Sequence, residues 1–237
     1  MEIIKKHKDS MLLSNVSRGN ALAVAIKMLI ISSVASLNCL LIQYVIYKNA
    51  NEGVHYINRD LMKFETINYI VTLFNIVASL FFLIVLIVWF FRAYSNMQSV
   101  DSRLTDSKYW ILLGWLVPIF NFIMPYRLLN KMTICAVLYI KKSTAIQLKR
   151  FKSYWILLIW ISFILIYFMR MYQYRIMAIA DVMYTIKLGV LIHGVILTTI
   201  LLFASYFNFY RNLEALIYKK ELENSGDSTD YIELVRE

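Results

Sequence analysis

The stretch "TINYIVTLFNIVASLFFLIVLIVWFF", Thr66 to Phe91, runs for 26 residues without a charge. A helix needs about 20 predominantly apolar residues to cross a hydrocarbon core of roughly 30 Å. Three further charge-free runs come near or pass that length: Met28 to Tyr47 with 20 residues, Ser153 to Met169 with 17 and Leu188 to Tyr210 with 23. The 237-residue chain is 60% hydrophobic and 17% charged, with 6 glycines. An ordinary soluble domain is roughly 45–50% apolar. A buried helix of a soluble protein would need flanking amphipathic helices to cover it, and the sequence offers too few. The pattern predicts an all-α polytopic helical membrane protein with four transmembrane helices. The first run follows some 20 polar residues, exceeds an h-region of about 7–15 and lacks a small-residue cleavage site. It is expected to be an uncleaved anchor.

Lys and Arg placement predicts the orientation. The N-terminal stretch, the segments around 92–108, 127–131 and 141–152, and the C-terminal part hold 19 of the 25 basic residues. The two remaining loops hold 6: Lys48, Arg59, Lys63, Arg170, Arg175 and Lys187. Both termini are therefore expected in the cytoplasm. The expected organisation is a basic cytoplasmic tail over 1–20, a membrane domain over 21–218 and an acidic cytoplasmic tail over 219–237. The spans are placed at about 24–47, 66–91, 153–173 and 185–210.

Between the second and third spans lies "GWLVPIFNFIMP", Gly114 to Pro125, which contains both prolines of the protein. Tyr109 to Tyr126 is charge-free for 18 residues, but the return through Arg127 to Ile140 has only 14 and carries Arg127 and Lys131. At about 1.5 Å per residue that return covers roughly 21 Å, short of the core. A single crossing would put the basic stretch 127–152 outside, against the charge rule. The expectation is a Pro-broken re-entrant or interfacial hairpin over 109–140. Pro118 removes a backbone donor, and Asn121 is placed to satisfy a freed backbone group. The competing reading is a Pro-kinked fifth span with Asn121 bonding another helix.

Trp89, Arg92 and Asn96 in "WFFRAYSN", with Gly114, Trp115, Pro118, Asn121 and Pro125 in "GWLVPIFNFIMP", resemble the signature of a bacterial membrane family catalogued as domain of unknown function 4328. The resemblance covers roughly Thr66 to Tyr210 and departs where Asn130 and Lys131 replace the usual acidic residue after the second proline. It implies a multi-span membrane protein of the bacterial inner (cytoplasmic) membrane, and no activity. Read physically, Trp89, Phe90, Phe91 and Tyr94 end the second span at headgroup level, and Arg92 is placed to snorkel to lipid phosphate. Asn96 is expected to cap the helix or bond the hairpin backbone. "YFNFYRNLEAL" ends the fourth span in a similar way, with Phe209, Tyr210, Arg211 and Asn212.

Catalytic groups are not evident. No HExxH, GxSxG, GxGxxG or P-loop pattern occurs, and no pair of carboxylates lies inside a span. Cys39 and Cys135 sit in separate apolar segments and read as structural thiols. His55 has no second His or Cys near it, so no metal site is expected. His193, inside "GVLIHGVIL", is the candidate intramembrane ionisable group. Its alternative is a neutral imidazole bonded across helices, with Gly189 and Gly194 letting a neighbour approach. No cofactor, no metal and no catalytic residue is expected. The net charge of +10 suits anionic lipid headgroups and not nucleic acid, because no folded basic domain exists. The leading expectation is a non-enzymatic membrane module that acts through self-association, as a homo-oligomer, or through a membrane-protein partner. The alternatives are a small pore, channel or transporter component using the hairpin, and, behind it, an intramembrane enzyme.

Overall fold

The computed structural model describes residues 12–116, 123–143, 154–177, 179 and 181–225. Those residues form six helices: α1 (Val16–Asn51), α2 (Asn58–Val100), α3 (Tyr109–Leu116), α4 (Met124–Ser143), α5 (Tyr154–Ile176) and α6 (Val182–Ser225). The protein is an all-α membrane protein. Four of the helices, α1, α2, α5 and α6, are long and apolar enough to cross a membrane. At about 1.5 Å per residue, the 43 residues of α2 and the 44 of α6 extend well past any hydrocarbon core. Each helix continues beyond its apolar run because the backbone keeps its own hydrogen bonds in water as well as in lipid. The described N-terminal helix accordingly begins at Val16, and the last one ends at Ser225, overshooting the expected spans at both ends.

The ends are set locally. α1 closes with a Schellman turn. Val54 N donates to Asn49 O at 3.0 Å, and Gly53 N donates to Ala50 O at 3.1 Å. Gly53 takes φ of 90°, the conformation that turn requires. α2 ends at Asp101, whose carboxylate accepts from Arg103 N at 3.0 Å and so folds the chain back on itself. α6 starts at Asp181, which accepts from Met183 N at 3.4 Å.

The chain divides into two compact units. The first comprises Met1–Leu22, Ile84–Leu157 and Ser205–Glu237; the second comprises Ala23–Leu83 and Leu158–Ala204. In the second unit, Phe82 meets Phe203 edge to face at 5.5 Å. Asn75 of α2 donates toward Ser32 Oγ at 3.4 Å and Ser36 Oγ at 3.3 Å of α1. Ser36 in turn donates to its own helix at Ser32 O, 2.9 Å.

The first unit also holds α3 and α4, which flank the proline segment. The described part of α3 has 8 residues, about 12 Å of helix. Gly114 faces the start of α4. A Cβ added at Gly114 would stand 3.1 Å from Met124 Cβ and 3.3 Å from Pro125 Cδ. Residues 117–122, on which the choice between a hairpin and a continuous fifth span turns, lie outside the described residues. α4 is amphipathic: Leu128, Leu129, Met132, Cys135, Ala136 and Ile140 are buried, while Arg127, Lys141 and Lys142 are exposed. Pro118 and Asn121 lie outside the described residues, as does the side chain of Trp115.

Two glycine substitutions separate close packing from mere helix propensity. Gly114→Ala pushes a methyl against the first turn of α4 and should lower the melting temperature in detergent. Gly194→Ala meets nothing within 4 Å and should be neutral or raise it, since alanine is favoured over glycine in a helix by about 1 kcal/mol.

Candidate functional site

The signature residues that can be placed all fall in the first unit. Trp89 is fully buried. Its ring meets Phe207 at 5.3 Å and 75° and Tyr210 at 5.6 Å and 90°, both edge to face. Such contacts add about 0.5–1.5 kcal/mol each beyond area burial. Phe90 and Tyr94 continue the cluster at 6.2 Å. Trp89 is a core residue: its aromatic neighbours on α6 cover it. The similar endings of the second and fourth spans have the same explanation. "WFF" and "FNFY" are packing partners, so their likeness reflects one shared core.

Asn96, almost wholly buried, neither caps α2 nor bonds the hairpin. Its Nδ2 donates to Leu13 O and to Tyr218 OH, both at 2.9 Å. Tyr218 OH donates onward to Leu13 O. One amide thus ties α2 to the residues before α1 and to the end of α6. A second amide does the same a turn away: Asn15 Nδ2 donates to Glu214 Oε1 at 3.0 Å. Arg92 is partly buried beside this node.

The loop between α2 and α3 is held just as tightly. Gln98 Nε2 donates to Asp106 O at 2.6 Å, and Tyr94 OH donates to the same carbonyl at 3.3 Å. The Asp106 carboxylate pairs with Lys131 of α4 at 2.5 Å and with Arg127 at 3.9 Å. Thr133 Oγ1 and Tyr206 OH lie 2.9 Å apart in the buried interior. These contacts fasten α4 to both α2 and α6.

Residues 58–214 match the family described as Domain of unknown function (DUF4328). The chain belongs to that family. No curated protein and no solved structure matches it. The DUF4328 region begins at the first residue of α2 and ends at Glu214, so α1 lies outside it. Even so, Leu13 and Asn15 complete the polar node that DUF4328 residues Asn96 and Glu214 form. Sequence reasoning had not singled out Glu214, Asn15 or Tyr218. A lone acid just past an apolar run, and a Ser-Asn pair ahead of a helix, are the signals that point to them.

His193 belongs to the second unit. Its Nδ1 lies 2.9 Å from Gly189 O, and a carbonyl only accepts, so Nδ1 carries the proton. Nε2 then offers its lone pair to Arg170 Nη2 at 3.3 Å. The tautomer is assigned from this network, and it describes a neutral ring. Arg170 Nη1 donates to Gln173 Oε1 at 3.0 Å, and Gln173 Nε2 donates to Thr185 O at 3.4 Å. Gly189 permits this approach: a Cβ there would stand 3.2 Å from Gln173 Nε2 and 3.4 Å from Leu40. Gly194 has open space instead. Among the described residues, no group of His, Cys, Asp and Glu is arranged to hold a metal.

Asp101, in the loop after α2, is a described carboxylate outside the spans whose titration bears on stability. Its side-chain hydrogen bonds from Arg103, at 2.9 and 2.5 Å, hold its carboxyl below the usual aspartate value, against a smaller opposing effect of burial.

Three measurements test these assignments. Trp89→Ala should cost about 3–5 kcal/mol and lower the melting temperature far more than Trp89→Phe. His193→Ala should lower stability by about 0.6–1.7 kcal/mol, the scale of an intramembrane hydrogen bond, equally at pH 6 and pH 8. The Asp101 contribution is complete above the unfolded aspartate pKa of about 3.9 and is lost as pH falls through the lower folded value. Acid unfolding should therefore be steeper below pH 4 in the wild type than in Asp101→Asn.

Proposed function

We propose that this protein is a non-enzymatic membrane module that acts by assembling with copies of itself. The observation that carries the reading is how the polar side chains at span depth are used. Asn75 is taken up by Ser32 and Ser36. Arg170, His193, Gln173 and Thr185 are taken up by one another. A transport path or an intramembrane reaction needs such groups turned toward a cavity or a substrate. Here Asn75, His193 and Gln173 bond neighbouring helices, which is the work of a rigid scaffold, and Arg170, which also lines an open groove of about 430 Å³, is held by His193 and Gln173.

The surface available for assembly is on α2. Only 11% of its apolar window is buried within the chain. Ile67, Ile70, Phe74, Val77 and Phe81 are all exposed, and their 3-4-3-4 spacing is the seam of a left-handed helix pair. A second copy presenting the same seam would bury it symmetrically. The family resemblance supports residence in a bacterial cytoplasmic membrane. The 19 basic residues assigned inside, against 6 outside, support four crossings with both termini in the cytoplasm.

Cross-linking tests the reading. With Cys39 and Cys135 replaced by alanine, single cysteines at Phe74 or Val77 should form disulfide dimers on oxidation in native membranes. A cysteine at the fully buried Ala78 should not. Light scattering of the wild type in mild detergent should report a mass above one chain. A monomer there, with no cross-link at either seam position, would sink the proposal.

A further inference from the structure

The first unit contains a cavity of about 240 Å³ between the start of α1 and the last part of α6. Ser14, Asn15 and Gly19 line one wall; Arg211, Glu214 and Tyr218 line the other. The α6 residues recur every three or four positions, so they share one helix face. A Cβ at Gly19 would meet nothing within 4 Å, which leaves that side open. The charge-free run of α6 ends at Tyr210, and the lining begins at Arg211. That puts the cavity just past the hydrocarbon, at headgroup depth.

Its polar groups are arranged in an incomplete way. Asn15 is only 3% exposed, and its Oδ1 has no hydrogen-bond partner. Its Nδ2 is committed to Glu214, so the oxygen cannot be exchanged for the donor end of the amide. Glu214 forms no ion pair among the described residues. Arg211, three residues before it, turns away to Asn20 Oδ1 at 2.6 Å. The Glu214 carboxyl, which accepts from Asn15 Nδ2, and the donorless Asn15 Oδ1 thus stand together with no described cation in ion-pair contact, while Arg211 and Lys219 stand on the same lining. Buried acceptors without donors are costly. A donor-rich cation of small size relieves that cost, and an anion tethered to it would meet the two basic side chains.

We propose that this cavity binds a zwitterion made of a primary ammonium and a phosphate ester, the chemistry of an aminophospholipid headgroup. The ammonium pairs with Glu214 and Asn15 Oδ1, and the phosphate pairs with Arg211 and Lys219. A primary ammonium has three N–H donors, whereas a trimethylammonium has none, so the site distinguishes the two. The apolar residues Val16 and Leu222 on the same lining suit the carbon atoms between the charges.

The full-length protein in vesicles of equal phosphatidylethanolamine, phosphatidylcholine and phosphatidylglycerol provides the test. After mild extraction, native mass spectrometry counts the retained lipids. The wild type should retain phosphatidylethanolamine at least about threefold over phosphatidylcholine. Glu214→Gln and Asn15→Leu should bring that ratio to parity, and Arg211→Gln should lower retention of both lipids. If the Glu214 variant does not fold, the wild type alone decides. Retention should fall stepwise from phosphatidylethanolamine through its mono- and dimethylated forms, because each methyl removes a donor. Equal retention of all headgroups by the wild type overturns the proposal, as does an unchanged preference in a folded Glu214→Gln. Soluble phosphoethanolamine separates the two sources of this chemistry. Displacement of the lipid at comparable concentration assigns the site to a free ligand, and failure to displace assigns it to the lipid.

Discussion

No water completes a polar group in hydrocarbon, so every such group at span depth must find its partner within the protein. That constraint orders the second unit. Asn75 would be expensive alone on α2, and it is seated between two serines of α1. Arg170 would be more expensive still, and His193 and Gln173 share it. The imidazole meets the guanidinium only as a neutral acceptor, with its other nitrogen tied to Gly189 O. A side chain at Gly189 would crowd the Gln173 amide, which a Cβ there would approach to 3.2 Å. Polar residues in these helices thus specify which faces meet, a task that the abundant Leu, Ile and Phe cannot perform when lipid is as apolar as they are.

In the first unit the ordering force is aromatic and amphipathic. Trp89 anchors α2 against α6 through two edge-to-face contacts. The node of Asn96, Tyr218 and Leu13 then adds the segment before α1, and Asp106 adds α4 through Lys131. Each of these links joins residues far apart in sequence. The signature residues that are described therefore lie in one packed core and at the contact of α3 with α4. Glu214, the last residue of the family match, is instead completed by a residue from outside it.

Much of this was legible in the sequence. Uncharged runs such as Thr66 to Phe91 specify spanning helices because length and apolarity are the only requirements for crossing a bilayer. The short basic return after Pro125 argued for a hairpin in the same way, by counting residues against thickness. Partner choice was not legible. Trp89 had the composition of an interfacial belt residue, and only the arrival of Phe207 and Tyr210 from more than a hundred residues away made it core. The same holds for Asn96, which reaches Leu13, and for Glu214, which reaches Asn15. Local sequence carries helix, span and turn, since these depend on neighbours within a few residues. Which side chains become buried partners depends on how helices are brought together, and that is decided by contacts between residues whose separation along the chain carries no local signal.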